Sequence, residues 1–167
     1  MAVEDKYINT ELAAGKKGAS SKVAGAQLVC LTFAFEQAAA DSDASVYRLG
    51  RLPANAIPVK SDIHADASID GTDYDLGLYK PGVGGAVVDK DIFADGLDLA
   101  SGEAITAPLN GLTNLGGADP IANYGKKLWE LLGLSTPGRN DYDLCITANT
   151  AGGAAGTISG NFWYIIG

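Results

Sequence analysis

Residues 141–166 read DYDLCITANTAGGAAGTISGNFWYII, and the spacing of their large side chains decides the fold class. Tyr142, Leu144 and Ile146 recur every second residue, and Ile158, Phe162, Tyr164 and Ile166 keep the same phase further on. A period of two puts such side chains on one face of an extended strand, whereas a helix needs spacings of three and four. Residues 148–156 between them form a small-residue loop. The stretch therefore predicts two strands, over 141–147 and 157–166.

Upstream, the one helical signal covers 124–134. Tyr124, Leu128, Leu131 and Leu132 share a stripe at helical spacing with Trp129 beside it, and Gly133 and Pro137-Gly138 end it. Residues 101–119, rich in Gly, Asn, Thr and Pro, read as a long surface excursion. Residues 89–99 read as a short helix or an irregular loop, and 82–88 as a Gly-rich turn into a short apolar piece. Strand signals return at 74–79, with Tyr74, Leu76 and Leu78 on one face. They continue at 57–65, where Pro58 near the start can lack its N–H without harm. Residues 46–52 alternate Val46, Arg48, Gly50 and Leu52 against Tyr47, Leu49 and Arg51, and 28–35 are a short apolar run of strand formers. Asp70-Gly71, Pro53 with Asn55, and Pro81-Gly82 punctuate these runs as turns. Many short strands with a single helix predict a mainly β chain, an antiparallel β-sandwich of jelly-roll-like type, over 26–167.

Residues 1–25 differ from the rest. They hold Gly15, Gly18, Ala19, Ser20, Ser21 and Gly25, with little apolar content after Leu12, and such a stretch cannot offset its own ordering entropy. Lys6, Lys16, Lys17 and Lys22 against Glu4, Asp5 and Glu11 give it a net charge of +1, so −9 of the total −8 lies on the remainder. This reads as an extended, flexible N-terminal arm acting as a tether, with Lys16, Lys17 and Lys22 as candidate contact residues.

The acidic balance, 12 Lys+Arg against 20 Asp+Glu, argues against nucleic acid and against an anionic membrane surface as partners. No run approaches the roughly 20 apolar residues of a membrane span, and the charged residues 1–7 do not read as a signal peptide. Synthesis in the cytoplasm is the expectation. Cys30 and Cys145 both sit in apolar runs and read as buried thiols.

Catalytic parts are scarce. The single histidine, His64, shares a strand face with Asp62 and Asp66, but no G-x-S-x-G elbow supplies a nucleophile. Zinc would need clustered Cys and His ligands. Two acidic stretches, 70–75 and 89–96, are candidate calcium loops by ligand type, yet neither keeps the D-x-[DN]-x-[DN]-G spacing. Glu130 beside Trp129 reads as a solvent-facing helical residue, and no phosphate-binding loop is found. The reading is of a chain with no catalytic residue, no metal and no cofactor.

Two longer segments add a resemblance. Residues 45–93 contain V-x-R-L-x-x-L-P-A-N-A, D-x-G-L-Y and G-G-A-V-V-D-x-D-x-F, and residues 126–167 contain L-W-E-L-L-G-L and a closing strand after an Ala/Gly/Thr loop. Together they resemble the small virion structural proteins of tailed bacteriophages, the capsid cement or decoration proteins. The resemblance implies a jelly-roll-like body bound to the major capsid protein on the capsid surface of the virion, acting as a homo-oligomer, dimer or trimer. Such a protein works by many weak contacts repeated by symmetry. Two other readings remain open on the residues. One is a tail, fibre or receptor-binding module, with Tyr47, Tyr79 or Trp163 as a sugar platform. The other is a small hydrolase built on His64 or Glu130.

Overall fold

In the computed structural model the described residues are 5–7, 26–100, 102, 104–107, 123–138 and 140–166, with backbone alone described at 5–7 and 104–107. The order of elements is β1 (Asp5–Tyr7), β2 (Gln27–Gln37), β3 (Ser45–Pro53), β4 (Ala56–Ala65), β5 (Asp73–Tyr79), β6 (Val87–Leu97), β7 (Ala104–Ala107), α1 (Leu128–Leu131), β8 (Asp141–Thr150) and β9 (Gly156–Ile166). The strands form two sheets, ordered β1-β3-β8-β5-β6 and β2-β9-β4-β7. Every pairing is antiparallel except β1 on β3, which is parallel. From β2 onward each connection crosses between sheets, apart from the β5–β6 hairpin. Eight strands in this order make the two interlocked Greek keys of a jelly roll, and β1 extends the edge of the first sheet.

The alternation read from sequence supplies the core. Tyr74, Leu76, Leu78, Tyr142, Leu144 and Ile146 from the first sheet meet Phe33, Phe35, Ile63, Ile158, Phe162 and Tyr164 from the second. Phe35 stacks on Tyr47 with centroids 4.4 Å apart, and Phe162 lies 5.0 Å from Phe93.

Two short strands fall where the sequence predicted none, β1 within the 1–25 arm and β7 within the 101–119 excursion, and the structure corrects the sequence reading at three further elements. First, 89–97 is neither helix nor loop but most of the strand β6, and only 98 and 99 of the stretch lie outside it. Its pairing with β5 is broken three times, so Ile92, Phe93 and Ala94 are buried consecutively and the two-residue period disappears from the sequence. Gly77 is needed there: a Cβ on it would collide with the backbone of Asp89 and Lys90. Second, the helix shrinks from 124–134 to Leu128–Leu131. Gly125 has a φ of 79° and Lys127 is extended, so the separate turn that the Lys126 N–H closes on Asn123 does not run into the helix, and Tyr124 is 79% exposed. Glu130 accepts a hydrogen bond from the Lys127 N–H at 2.8 Å and fastens the first turn. The Gly133 and Leu134 N–H groups close the last turn on Glu130 and Trp129, with Gly133 at φ 68°. Third, the alternation at 46–52 slips at a bulge between Arg48 and Gly50. Leu52 therefore returns to the core beside Tyr47 and Leu49, and Arg48 and Arg51 come to share the opposite face. Strand β8 also runs on to Thr150, shortening the expected loop.

Candidate functional site

The two sheets treat their outer faces differently, and that difference defines where other molecules can touch the body. On the first sheet, Arg48 and Asp143 are each 0% exposed and pair at 3.3 Å. Asp143 also takes the Arg51 Nε at 3.0 Å and the Gly82 N–H at 3.0 Å. Arg48 donates onward to the carbonyls of Lys80 (3.1 Å) and Gly85 (3.2 Å). The 80–86 turn is thereby stapled over this face, above a small cluster of Val46, Tyr79 and Cys145. Tyr79 and Thr147 share a hydroxyl hydrogen bond at 2.7 Å. Further along, Asp75 accepts from Lys90 (2.8 Å), Asn149 (2.7 Å) and the Gly96 N–H (3.2 Å). Burial pushes the Asp75 carboxyl up, but these donors outweigh it and hold it below its ordinary value. Among the described residues no buried side-chain nitrogen or oxygen lacks a partner.

Among the described residues, the outer face of the second sheet carries no such cover. Alternation of burial in β2 and β9 turns Leu28, Cys30, Thr32, Ala34 and Glu36 outward beside Ile165, Trp163, Asn161, Ser159 and Thr157. On the far side of β9 the register continues these rows to Ile57, Lys60, Asp62 and His64 of β4. One end is apolar, with Leu28 61% exposed and Ile57 and Ile165 half-buried. Lys60 Nζ lies 3.9 Å from the centroid of the Trp163 ring. The other end is a ladder of polar bonds: Thr32 to Asn161 at 2.7 Å, the Asn161 N–H to Asp62 at 2.8 Å, and Thr157 to Glu36 at 2.8 Å. Cys30 is a free thiol exposed on this face, contrary to the expectation of burial, while Cys145 is buried as expected.

The candidate chemical groups fall into structural roles. His64 is exposed; Asp62 shares its strand face, whereas Asp66 lies just past the end of β4, and the two carboxylates accept from the backbone N–H groups of Asn161 and Thr157. The Ser68 hydroxyl, with the N–H groups of Thr157 and Ser68, holds the Asp66 carboxyl below its usual range. Glu130 is exposed and caps its helix. In the first acidic stretch, Asp70 accepts from the N–H groups of Gly153 and Ala154, and Asp73 and Asp75 from Asn149. In the second, burial, followed by hydrogen bonding with and repulsion from Asp91, raises Asp89 to about 6. Among the described residues no three His, Cys, Asp or Glu side chains are grouped to hold a metal ion. Of the aromatic platform, Tyr47 and Tyr79 are buried, and Trp163 is half-buried under Lys60. Lys16, Lys17 and Lys22 lie outside the described residues. Among the described residues no helix is long and apolar enough to cross a membrane.

The open sheet face and its edge were not singled out in the sequence. The signal was present in β2, where outward residues, uncharged apart from Glu36, alternate with core residues, but alternation alone does not say which face is covered.

Fold and faces together define a jelly roll whose described residues hold bonded polar groups and no assembled catalytic constellation. No protein-family model matches the chain, and no curated protein matches it. Among solved structures, a chain in the capsid of Ralstonia phage GP4 is similar over 97% of this chain and 99% of its own, at 19% identity and a TM-score of 0.63. At that identity the likeness is one of fold. A chain in the capsid asymmetric unit of cyanophage Pam1 overlaps 92% of this one at 14% identity, and a chain in the capsid of Helicobacter pylori bacteriophage KHP30 overlaps 83% at 14%. Their TM-scores of 0.40 and 0.37 are too low to bear on the argument.

Proposed function

We propose that this chain is a virion structural protein of a tailed phage, and specifically a cement or decoration protein. In this reading it binds the outer surface of the major capsid protein shell and stabilises the head without catalysing a reaction. The observation that carries the reading is the end-to-end likeness of fold to a chain in the capsid of Ralstonia phage GP4. The outer face of the second sheet, where the exposed Leu28 lies beside Ile165 and Ile57, agrees with a body that works through surface contact. Homo-oligomerisation multiplies weak contacts, and residues 1–25, with Lys16, Lys17 and Lys22, act as the tether to neighbouring subunits.

The test is sedimentation of the purified chain with empty heads of the cognate phage, with calorimetry of the pelleted heads. Saturable binding at a fixed copy number and a higher head melting temperature are expected, because a ligand of the assembled state stabilises it by mass action. Protein left in the supernatant at micromolar concentration, or heads that melt identically with and without it, refutes the reading. Replacing the three lysines by Ala should weaken head binding while the body keeps its melting temperature; deleting 1–25 should weaken binding too, with some loss of melting temperature because β1 pairs with β3. Unchanged affinity removes the arm from the mechanism.

A further inference from the structure

The described strands leave four sheet edges, and three of them are guarded. Strand β1 has three residues and β7 has four, and β6 is broken three times in register. Short edges and bulged edges are the ordinary means of preventing further strand pairing. Strand β2 has neither protection. It is eleven residues long and pairs with β9 in an unbroken register from Gln27 to Gln37. It contains no Pro, no Gly and no Lys or Arg, and its single charge, Glu36, lies one residue from its end. No described strand pairs with its other edge.

We infer that β2 is a self-pairing edge: two copies of the chain join antiparallel through β2 about a two-fold axis near Leu31, making one eight-stranded sheet from two four-stranded ones. Charge decides in favour of a second copy. The chain carries −8, so like molecules repel over most of their surfaces, yet residues 27–35 carry no charge at all. A two-fold at Leu31 sets Leu28 opposite the partner copy's Ala34 and Cys30 opposite its Thr32. Each Glu36 then faces Ala26, so no acid opposes an acid. The exposed Leu28 lies beside Ile165 and Ile57, so pairing also extends the apolar end of the open face. Nine residues of paired strand at about 3.4 Å each would send the two arms out roughly 30 Å apart. That spacing suits a tether to separate subunits, and only this consequence rests on the capsid reading.

The experiment uses the full chain without heads, so its failure and a failure of head binding are separately visible. Cys30 is a built-in reporter, because the two thiols would be diagonal neighbours on one face, roughly 7–8 Å apart. A short bismaleimide should cross-link the wild type to a dimer, and Cys30→Ser should abolish the product. The double variant Leu28→Lys with Ala34→Lys changes two exposed side chains and sets lysine opposite lysine twice. It should stay folded by circular dichroism and associate roughly tenfold or more weakly in sedimentation equilibrium. Mixing it with Leu28→Glu, Ala34→Glu chains should restore the dimer. A wild-type monomer, an oligomer that Cys30 does not cross-link, or a lysine variant that associates normally overturns the inference. If Cys30 is free in solution and becomes protected only when heads are added, the shell protein is the strand partner and self-pairing is refuted.

Discussion

Replacing Asp143 by Asn changes one oxygen for one nitrogen and leaves the Arg48 guanidinium charged in a place water does not reach. Both members of that pair are 0% exposed, and they meet at 3.3 Å. Removing one partner of a buried ion pair costs about 3–5 kcal/mol, because the desolvation of the other is no longer offset. The Asn side-chain oxygen can still accept one hydrogen bond, so the expected loss lies near the lower end, about 3 kcal/mol. For a chain of this size each kcal/mol moves the melting temperature by about 2–4 °C, so Asp143→Asn should melt roughly 6–12 °C below wild type. The assay is differential scanning calorimetry of the whole chain, and two comparisons make it specific. Arg51 is 31% exposed and can turn its charge to water, so Arg51→Met should cost about 1 kcal/mol or less. Replacing both buried partners, Arg48→Met with Asp143→Leu, should recover most of the loss, since apolar pairs of similar volume substitute well for buried ion pairs. The double variant still lacks the bonds to Lys80 and Gly85, so hydrogen exchange in the 80–86 turn should speed up while the core strands stay protected. An Asp143→Asn protein melting within about 2 °C of wild type would refute the reasoning. So would an Arg51→Met loss as large as that of Asp143→Asn.

Stability should peak at mildly acidic pH. Asp89 titrates at about 6, so its favourable contribution is complete below the ordinary carboxylate value and is lost as pH rises through 6; Asp75 is lowered, so its contribution is present above the ordinary value and is lost as pH falls below it. The melting temperature is expected to rise from pH 7 to about 5 and to fall below about 4. Asp89→Asn should flatten the rise, and an unchanged rise in that variant assigns it to other groups. Gly77→Ala drives a methyl into the backbone of Asp89 and Lys90, and should cost about 1–3 kcal/mol in urea titration. Phe162→Ala empties the space between Phe93 and Tyr164 and should cost about 3–5 kcal/mol by the same titration, with near-wild-type values for either variant contradicting the packing described.

How much of this was legible in the sequence depended on whether each strand kept its period. Strands β5, β8 and β9 alternate without interruption on their core side, and their inward residues could be named from spacing alone. Strand β6 could not, because three register breaks bury Ile92, Phe93 and Ala94 in a row and the Asp-rich remainder looks like a loop. The bulge in β3 had the same effect on a smaller scale, reversing the face of Leu52 and Arg51. The helix was overestimated because periodicity reports which side chains could share a stripe, whereas Gly125 and the extended Lys127 determine where a helix begins. The polar network escaped for a different reason. Arg48, Arg51 and Asp143 lie some 95 residues apart at the extremes and meet only through the register of β3 against β8.

That network also bears on where the chain can act. A polar face is available to a partner only to the extent that its donors and acceptors are uncommitted, because each bond already made must be broken before a new one forms. On the first sheet Arg48, Asp143, Tyr79, Thr147, Asp75 and Asn149 are bonded to one another or to the 80–86 turn. The second sheet offers the reverse: apolar side chains at Leu28, Ile57 and Ile165 that gain by leaving water, and a backbone edge along 28–37 that no described strand pairs with and that gains by pairing. The first residues of β2 lie at that apolar end, directly after residues 1–25. An arm that orders on a neighbour and an edge that pairs with one would then draw on adjacent surface. Deleting 1–25 and placing lysines at 28 and 34 should therefore weaken head binding by less together than the separate losses predict if the two act on one contact, and additively if they act on two.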